Sequence, residues 1–292
     1  MQLTDFNASD SLAIRAAERS MGAVLIDAGR ITPEQAQQIL GLQAELGMRF
    51  GEAAIQLGYL TPADIDFALS RQFDYAYLKR GESELSETLI AAYDPFVPRV
   101  ESLRALRAQL MLRWFNDPAH KALAVVSPAS GEGRSYVAAN LAIVFSQLGQ
   151  RTLLVDADLR NPSQHRLFGL ENRYGLSAVL SGRASTETIH RIPALLDLSV
   201  LPAGVVPPNP QELLARPAFA QLLAQLGEHY DVILLDTAPA AATADAQTVA
   251  ARAGAALIVA KTNRSTTAQV RAAAHSLAAG KTEVLGAVLN EF

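Results

Sequence analysis

Apolar residues in the second half of the chain come in short unbroken blocks, near 121–127, 152–156, 197–201, 231–236, 255–261 and 284–289. Blocks of this length without polar alternation predict strands buried on both faces. Between them lie stretches with helical spacing, near 135–148, 211–227, 244–253 and 265–279. Such alternation predicts an α/β fold with a mostly parallel, doubly wound sheet. Ahead of the first block, Val100, Leu103, Leu106, Leu110 and Trp114 mark one apolar stripe of an amphipathic helix.

The first 72 residues have a different rhythm. The segment from Met21 to Pro33 recurs as Phe50 to Pro62, with Gly22 and Gly51, Gly29 and Gly58, Thr32 and Thr61 in corresponding places. Thr32 and Thr61 suit helix N-caps, Pro33 and Pro62 suit the first helical position, and Gln35 completes a capping box. Each unit therefore reads as helix, glycine turn, capped helix. Spacing alone makes this a packing module. Between the repeat and the sheet, Asp94-Pro95-Phe96-Val97-Pro98 forbids a continuous helix and marks a boundary. The expected organisation is a helical tandem-repeat domain over 12–72, a linker over 73–98, and an α/β domain over 99–292.

Composition changes this picture little. At 292 residues and 50% hydrophobic content, the chain can fill two cores. Zero cysteines exclude disulfides, thiolate metal sites and a cysteine nucleophile, and fit a reducing compartment. A net charge of -4 gives no overall drive toward nucleic acid or anionic lipid, so no nucleic-acid partner is expected. The start has no basic-then-apolar leader, and no apolar run is long enough to span a bilayer. Cytoplasmic residence is the expectation, with any membrane link made through a partner. None of the five histidines has metal-ligand spacing.

The chemistry concentrates around residues 127–135, Ser-Pro-Ala-Ser-Gly-Glu-Gly-Arg-Ser, a glycine-punctuated loop between a strand block and a helix. This is the layout of a phosphate-binding loop, with Arg134 where the usual pattern has lysine and Pro128 where it has its first glycine. Backbone N–H groups of Gly131, Glu132, Gly133, Arg134 and Ser135, with the dipole of the following helix, would cradle phosphates; Tyr136 follows directly. Asp156 and Asp158 close one strand block and Asp236 closes another. Residues two apart in a strand face the same way, so Asp156 and Asp158 can address one Mg²⁺ or one proton. One acidic strand end is commonplace; three downstream of a glycine loop point to a nucleotide site. Arg134 keeps the lysine's charge in a larger, planar fork, which leaves open a site that binds nucleotide without turning it over.

Residues 96–292 resemble the bacterial tyrosine kinase family of exopolysaccharide export, most closely its stand-alone chain-length-determinant kinases. That resemblance implies a P-loop NTPase fold, ATP and Mg²⁺. It makes residues 131–135 Walker A, Asp156, Asp158 and Arg160 Walker A′, and Asp236 Walker B, with Ser135, Asp158 and Asp236 around the metal. Asp156, Asp158 and Arg134 become the catalytic set, Asn290 an adenine contact and Asp245 a weaker member. Glu101, Arg104 and Arg107 resemble the family's self-association motif and imply a homo-oligomer. A membrane polysaccharide co-polymerase is the implied partner, holding the protein at the inner membrane. The family's tyrosine-rich tail has no counterpart after Tyr230, which directs the expected target to Tyr75, Tyr77, Tyr93 or a partner.

The repeat, in turn, resembles the MshEN domain of type II secretion and pilus ATPases, which implies cyclic di-GMP bound through Arg19, Gly22, Arg49 and Gly51. The second copy reads Arg49-Phe50-Gly51, whereas the first has Arg19 displaced by one residue. Two other readings stand beside the kinase. One is a MinD/ParA-type positioning ATPase, whose early loop lysine is Ala129 here; the other is a non-catalytic nucleotide-binding adaptor of the same machinery.

Overall fold

The computed structural model describes residues 20–62, 64, 65, 68, 78, 80, 81 and 83–291. Arg19, Tyr75 and Tyr77 lie outside the described residues. The chain divides into two compact units between Ala76 and Tyr77.

In the first unit, helices α1 (Met21–Asp27), α2 (Pro33–Leu46) and α3 (Phe50–Gln56) enclose Leu25, Ile31, Ile39, Ala53, Ala54 and Leu60. The capping box at Thr32 forms. The Gln35 N–H donates to Thr32 Oγ1 (3.3 Å) and the Thr32 N–H to Gln35 Oε1 (2.8 Å). In the second copy Asp64 replaces the glutamine, its Oδ2 accepting from the Thr61 N–H at 2.9 Å. The two repeat glycines serve packing. A Cβ at Gly22 would meet the Phe50 ring at 3.5 Å, and one at Gly51 would meet Ile65 at 3.2 Å.

The second unit begins before the sheet. After α4 (Ile90–Tyr93) and α5 (Pro98–Arg113) come β1 (Ala122–Val126), α6 (Arg134–Ser146), β2 (Thr152–Asp156), α7 (Gln164–Leu167) and α8 (Leu176–Leu180). These are followed by β3 (His190–Arg191), β4 (Leu198–Leu201), α9 (Pro210–Ala215), α10 (Pro217–His229) and β5 (Val232–Asp236). The unit closes with α11 (Asp245–Ala253), β6 (Ala255–Lys261), α12 (Thr267–Ala279) and β7 (Glu283–Asn290). The strands form one sheet in the order β3-β4-β2-β5-β1-β6-β7, all parallel except the β3–β4 pair. Six strands match apolar blocks of the sequence. The seventh, β3, is a two-residue edge too short and polar to leave such a block.

Alternate strand residues feed two cores. Leu123, Val125, Leu154 and Leu234 face α5 and α6, while Ala124, Leu153, Val155, Ile233 and Leu235 face the helices of the other side. Both faces are covered over β1, β2, β5 and β6, which is why those strands read as unbroken apolar blocks, whereas edge strand β7, also expected to be buried, is exposed or half-buried except at Asn290. Trp114, at the end of α5, is buried, stacks on His120 at 3.6 Å and donates its indole N–H to the Ala122 carbonyl.

The stretch 78–97, expected as linker, belongs to this second core. Leu85, Leu89 and Tyr93 are buried, and the Tyr93 hydroxyl donates to the Leu85 carbonyl at 2.6 Å. Asn140, fully buried within α6, is one of the stretch's polar attachments, beside Gln147, whose Nε2 donates to the Ala91 carbonyl at 2.8 Å. Asn140 accepts from the Ala91 N–H at 2.9 Å and donates to the Thr88 carbonyl at 3.3 Å. Tyr93 is therefore sealed in the core rather than offered as a phosphorylation target.

Candidate nucleotide site

Strand register brings the acidic residues together. Asp156 lies beside Asp236 on adjacent parallel strands, and Val125, just before the loop, pairs with Asp236 on its other side. The loop leaves β1 at the middle of the sheet, with β5 and β6 as neighbours, the kind of C-terminal crevice where open α/β sheets bind ligands. Gly131 and Gly133 take φ values of 76° and 89°, left-handed backbone that favours glycine. Gly133 is also the N-cap of α6, so the helix dipole opens on the loop.

Three supports hold this shape. The Glu132 side chain turns inward, accepting from the Ala129 N–H at 2.6 Å and from the Ser265 hydroxyl. Asn290 donates its amide to the Glu132 carbonyl at 2.9 Å. A Cβ at Gly133 would fall 1.9 Å from Asn290 Nδ2, and one at Gly131 2.9 Å from the Arg264 guanidinium. Glu132 thus shapes the loop with its side chain and can address a ligand only through its backbone. Beside the loop opens a cavity of about 340 Å³, lined among others by Gly131, Gly133, Ser135, Asp158, Ser163 and Arg166. A second cavity, about 480 Å³, touches Tyr136, Arg99, Leu103, Val288 and Asn290.

Arg134 is buried and points inward. Its Nε donates to Asp236 Oδ1 (3.2 Å), Nη2 to Asp158 Oδ2 (3.0 Å) and Nη1 to Ser127 Oγ (2.8 Å). Asp236 also accepts from Gln164 Nε2 at 2.8 Å and from the Ser135 side chain. Burial pushes the Asp236 carboxyl upward, and Arg134 opposes this shift.

Asp156 does not share this arrangement with Asp158. β2 ends at Asp156, so the two-residue alternation stops there and Asp158 turns toward Arg134 on its own. Asp156 is fully buried, its carboxylate accepting from the backbone N–H groups of Asp158 (3.3 Å), Ser163 (2.9 Å) and Gln164 (2.9 Å). Burial first, and then the neighbouring Asp236, push its carboxyl up to about 8. Its position anchors the start of α7 rather than the wall of the loop cavity.

Two further expected members are engaged elsewhere. Arg160 forms a two-pronged ion pair with buried Asp245, Nε to Oδ2 at 2.7 Å and Nη2 to Oδ1 at 3.3 Å. Of the α5 triplet, Arg104 pairs with Glu101 at 3.2 Å and Arg107 donates to the Val144 carbonyl, leaving Glu101 the exposed member. In the first unit Gly22 and Gly51 are packed as described, and Arg49 is exposed. Sequence reasoning did not single out Ser127, Gln164, Arg166, Arg264 or Ser265. Ser127 opens the loop itself, while the other four reach it from two places far along the chain, α7 and the segment after β6, so nothing in their spacing marks them.

Comparison with known proteins identifies the family and the fold. A family model described as ParA, NUBPL iron-transfer P-loop NTPase, matches residues 119–291. The tyrosine-protein kinase YwqD of Bacillus subtilis is 36% identical over 215 residues, 74% of this chain and 90% of YwqD. EpsB of Ralstonia nicotianae is 36% identical over 228 residues, 78% of this chain but only 29% of EpsB. The kinase domain of the Escherichia coli tyrosine kinase ETK superposes with a TM-score of 0.69 at 32% identity, covering 75% of this chain and 85% of that domain. The chain belongs to the ParA-type P-loop NTPases, in the group that contains the bacterial tyrosine-protein kinases.

Proposed function

We propose that this chain is an ATP-dependent protein-tyrosine kinase of bacterial exopolysaccharide export, working at the inner membrane through a membrane co-polymerase that controls chain length. The observation that carries it is the loop: two left-handed glycines and an inward Glu132 hold the N–H groups of 131–135 against a cavity walled by Asp158 and Arg166. The match to a kinase over 90% of that kinase's length selects the reaction class.

The residues present fit a nucleotide. Asn290 Oδ1 is buried without a hydrogen-bond partner, and Asn290 lines the 480 Å³ cavity beside Tyr136, a place for an adenine and its amino group. The hard oxygens of Ser135, Asp158 and Asp236 suit Mg²⁺, with the Arg134 guanidinium now bonded to both carboxylates. ATP with its ion would supply the transferable phosphoryl group and charge neutralisation. The chain itself supplies positioning. Loop amides and the α6 N-terminus orient phosphate oxygens, Arg166 adds a cation at the cavity wall, and the packed core behind α6 keeps that side of the loop dry. Among the described residues no helix is long and apolar enough to cross a membrane, which fits attachment through a partner.

The acceptor tyrosine, on this reading, lies on a partner, on a second copy, or at Tyr75 or Tyr77. Phosphotyrosine mapping after incubation of the full chain with ATP, with and without a co-polymerase cytoplasmic segment, tests the proposal. Labelled tyrosine that disappears in Ser135→Ala supports it; ATP hydrolysis with no labelled tyrosine on either protein moves the chain to the positioning ATPases. Self-association through the α5 triplet is part of the same proposal, with Glu101 as its exposed member. Cyclic di-GMP gating rests on Arg49 and on the MshEN resemblance. Calorimetric titration of the full chain, with heat lost in Arg49→Ala, would support it, and an absence of heat would leave the helical unit a packing module.

A further inference from the structure

The Asp158 and Asp236 carboxylates are satisfied without any ion. Asp158 Oδ1 accepts from the N–H groups of Arg160 (3.2 Å) and Asn161 (2.9 Å), and its Oδ2 accepts from Arg134. Asp236 Oδ1 accepts from Arg134 and its Oδ2 from Gln164. The third arm of the guanidinium is held by Ser127, whose hydroxyl donates in turn to the Ala129 carbonyl at 2.8 Å within the loop. Side-chain exposure is 8% for Arg134, 4% for Asp158 and 0% for Asp236.

We propose that Arg134 is the resident cation of this site, and that its guanidinium and a divalent ion are alternative occupants of the Asp158–Asp236 pair. The inference rests on the nucleotide-site reading above. Only a planar fork can serve three acceptors in three directions; a lysine ammonium is a compact point charge that would leave some of them unmatched. Mg²⁺ demands oxygen ligands at about 2.0–2.1 Å in near-octahedral geometry, so an ion reaching both carboxylates would take the space now filled by the guanidinium. Expelling the guanidinium would break its bonds to Asp158, Asp236 and Ser127 together, which disfavours that exchange. Nucleotide therefore enters with its phosphates on the loop amides while Arg134 stays in place, and the divalent ion is not needed for binding. The residue at the lysine position thereby sets cation dependence from beneath the loop.

The test is equilibrium binding of a fluorescent ADP analogue to the full chain, in excess Mg²⁺ and in EDTA, for wild type and Arg134→Lys. Wild type should change affinity by less than about threefold on removal of the ion, while Arg134→Lys should lose about tenfold or more. Melting temperatures with Mg²⁺ alone give a second readout. Wild type should not move, and Arg134→Ala, with two buried carboxylates released, should be stabilised by the ion. If the alanine variant does not fold, the lysine variant and wild type still decide. Wild-type binding that collapses in EDTA as far as that of the lysine variant overturns this inference alone. No nucleotide binding in either condition overturns the underlying nucleotide-site reading.

Discussion

Glycine does opposite work in the two units. Gly131 and Gly133 are needed for backbone shape: their φ values are 76° and 89°, and Arg264 and Asn290, respectively, close the space a side chain would take. Gly22 and Gly51 sit in ordinary helices and are needed for proximity, letting Phe50 and Ile65 approach the helix backbone. Charge divides the same way. The nucleotide unit buries Arg134 with two carboxylates, whereas the helical unit's Arg30–Asp64 pair leaves Arg30 41% exposed. Among the described residues, buried charge accompanies the loop glycines and not the repeat glycines.

This contrast can be broken in order of expected effect. Arg134→Ala leaves two buried carboxylates without their cation, and should cost about 3–5 kcal/mol in denaturant unfolding of the full chain. Gly133→Ala forces a left-handed position onto a residue with a Cβ and displaces Asn290; about 1–3 kcal/mol of strain is expected, with nucleotide binding lost. Thr32→Ala removes the capping box of α2 and should cost about 1 kcal/mol, with nucleotide affinity unchanged. Gly51→Ala should be nearly neutral: the helical gain from replacing glycine, about 0.5–1 kcal/mol, is offset by crowding of Ile65.

The smallest effect is one of pH. The Thr61 hydroxyl first, and Arg30 further, hold the Asp64 carboxyl below its ordinary 3.8, against burial, which raises it. Its contribution is therefore complete above 3.8 and is lost as pH falls through the lower folded value. A stability difference between wild type and Asp64→Asn should be seen at neutral pH and vanish in acid.

Much of the architecture was written in the apolar pattern, because a parallel sheet covered on both faces leaves strand blocks that helices do not. The two-residue β3 left no such mark. The 78–97 stretch reads as linker for a specific reason: its prolines and charges signal turns, while its partners, Asn140, Gln147 and the apolar residues around Leu89 and Tyr93, come from α6 and the core far along the chain. The site was legible as a set of motif residues and illegible as directions. Asp156 and Asp158 were read as facing one way, but the strand ends between them, and Asp156 caps α7 instead. Arg160 is part of the Walker A′ set by resemblance, and its carboxylate partner, Asp245, comes from a helix 85 residues away. Local spacing has no access to either fact.

On the proposed reading, the phosphates of ATP and ADP are held by the 127–135 loop. Hydrogen–deuterium exchange of the full chain with and without ADP tests it most directly. Protection should rise at the amides of 131–135 and the first turn of α6, with residues 20–62 unchanged; protection within 20–62, or none in the loop at saturating ADP, would contradict it.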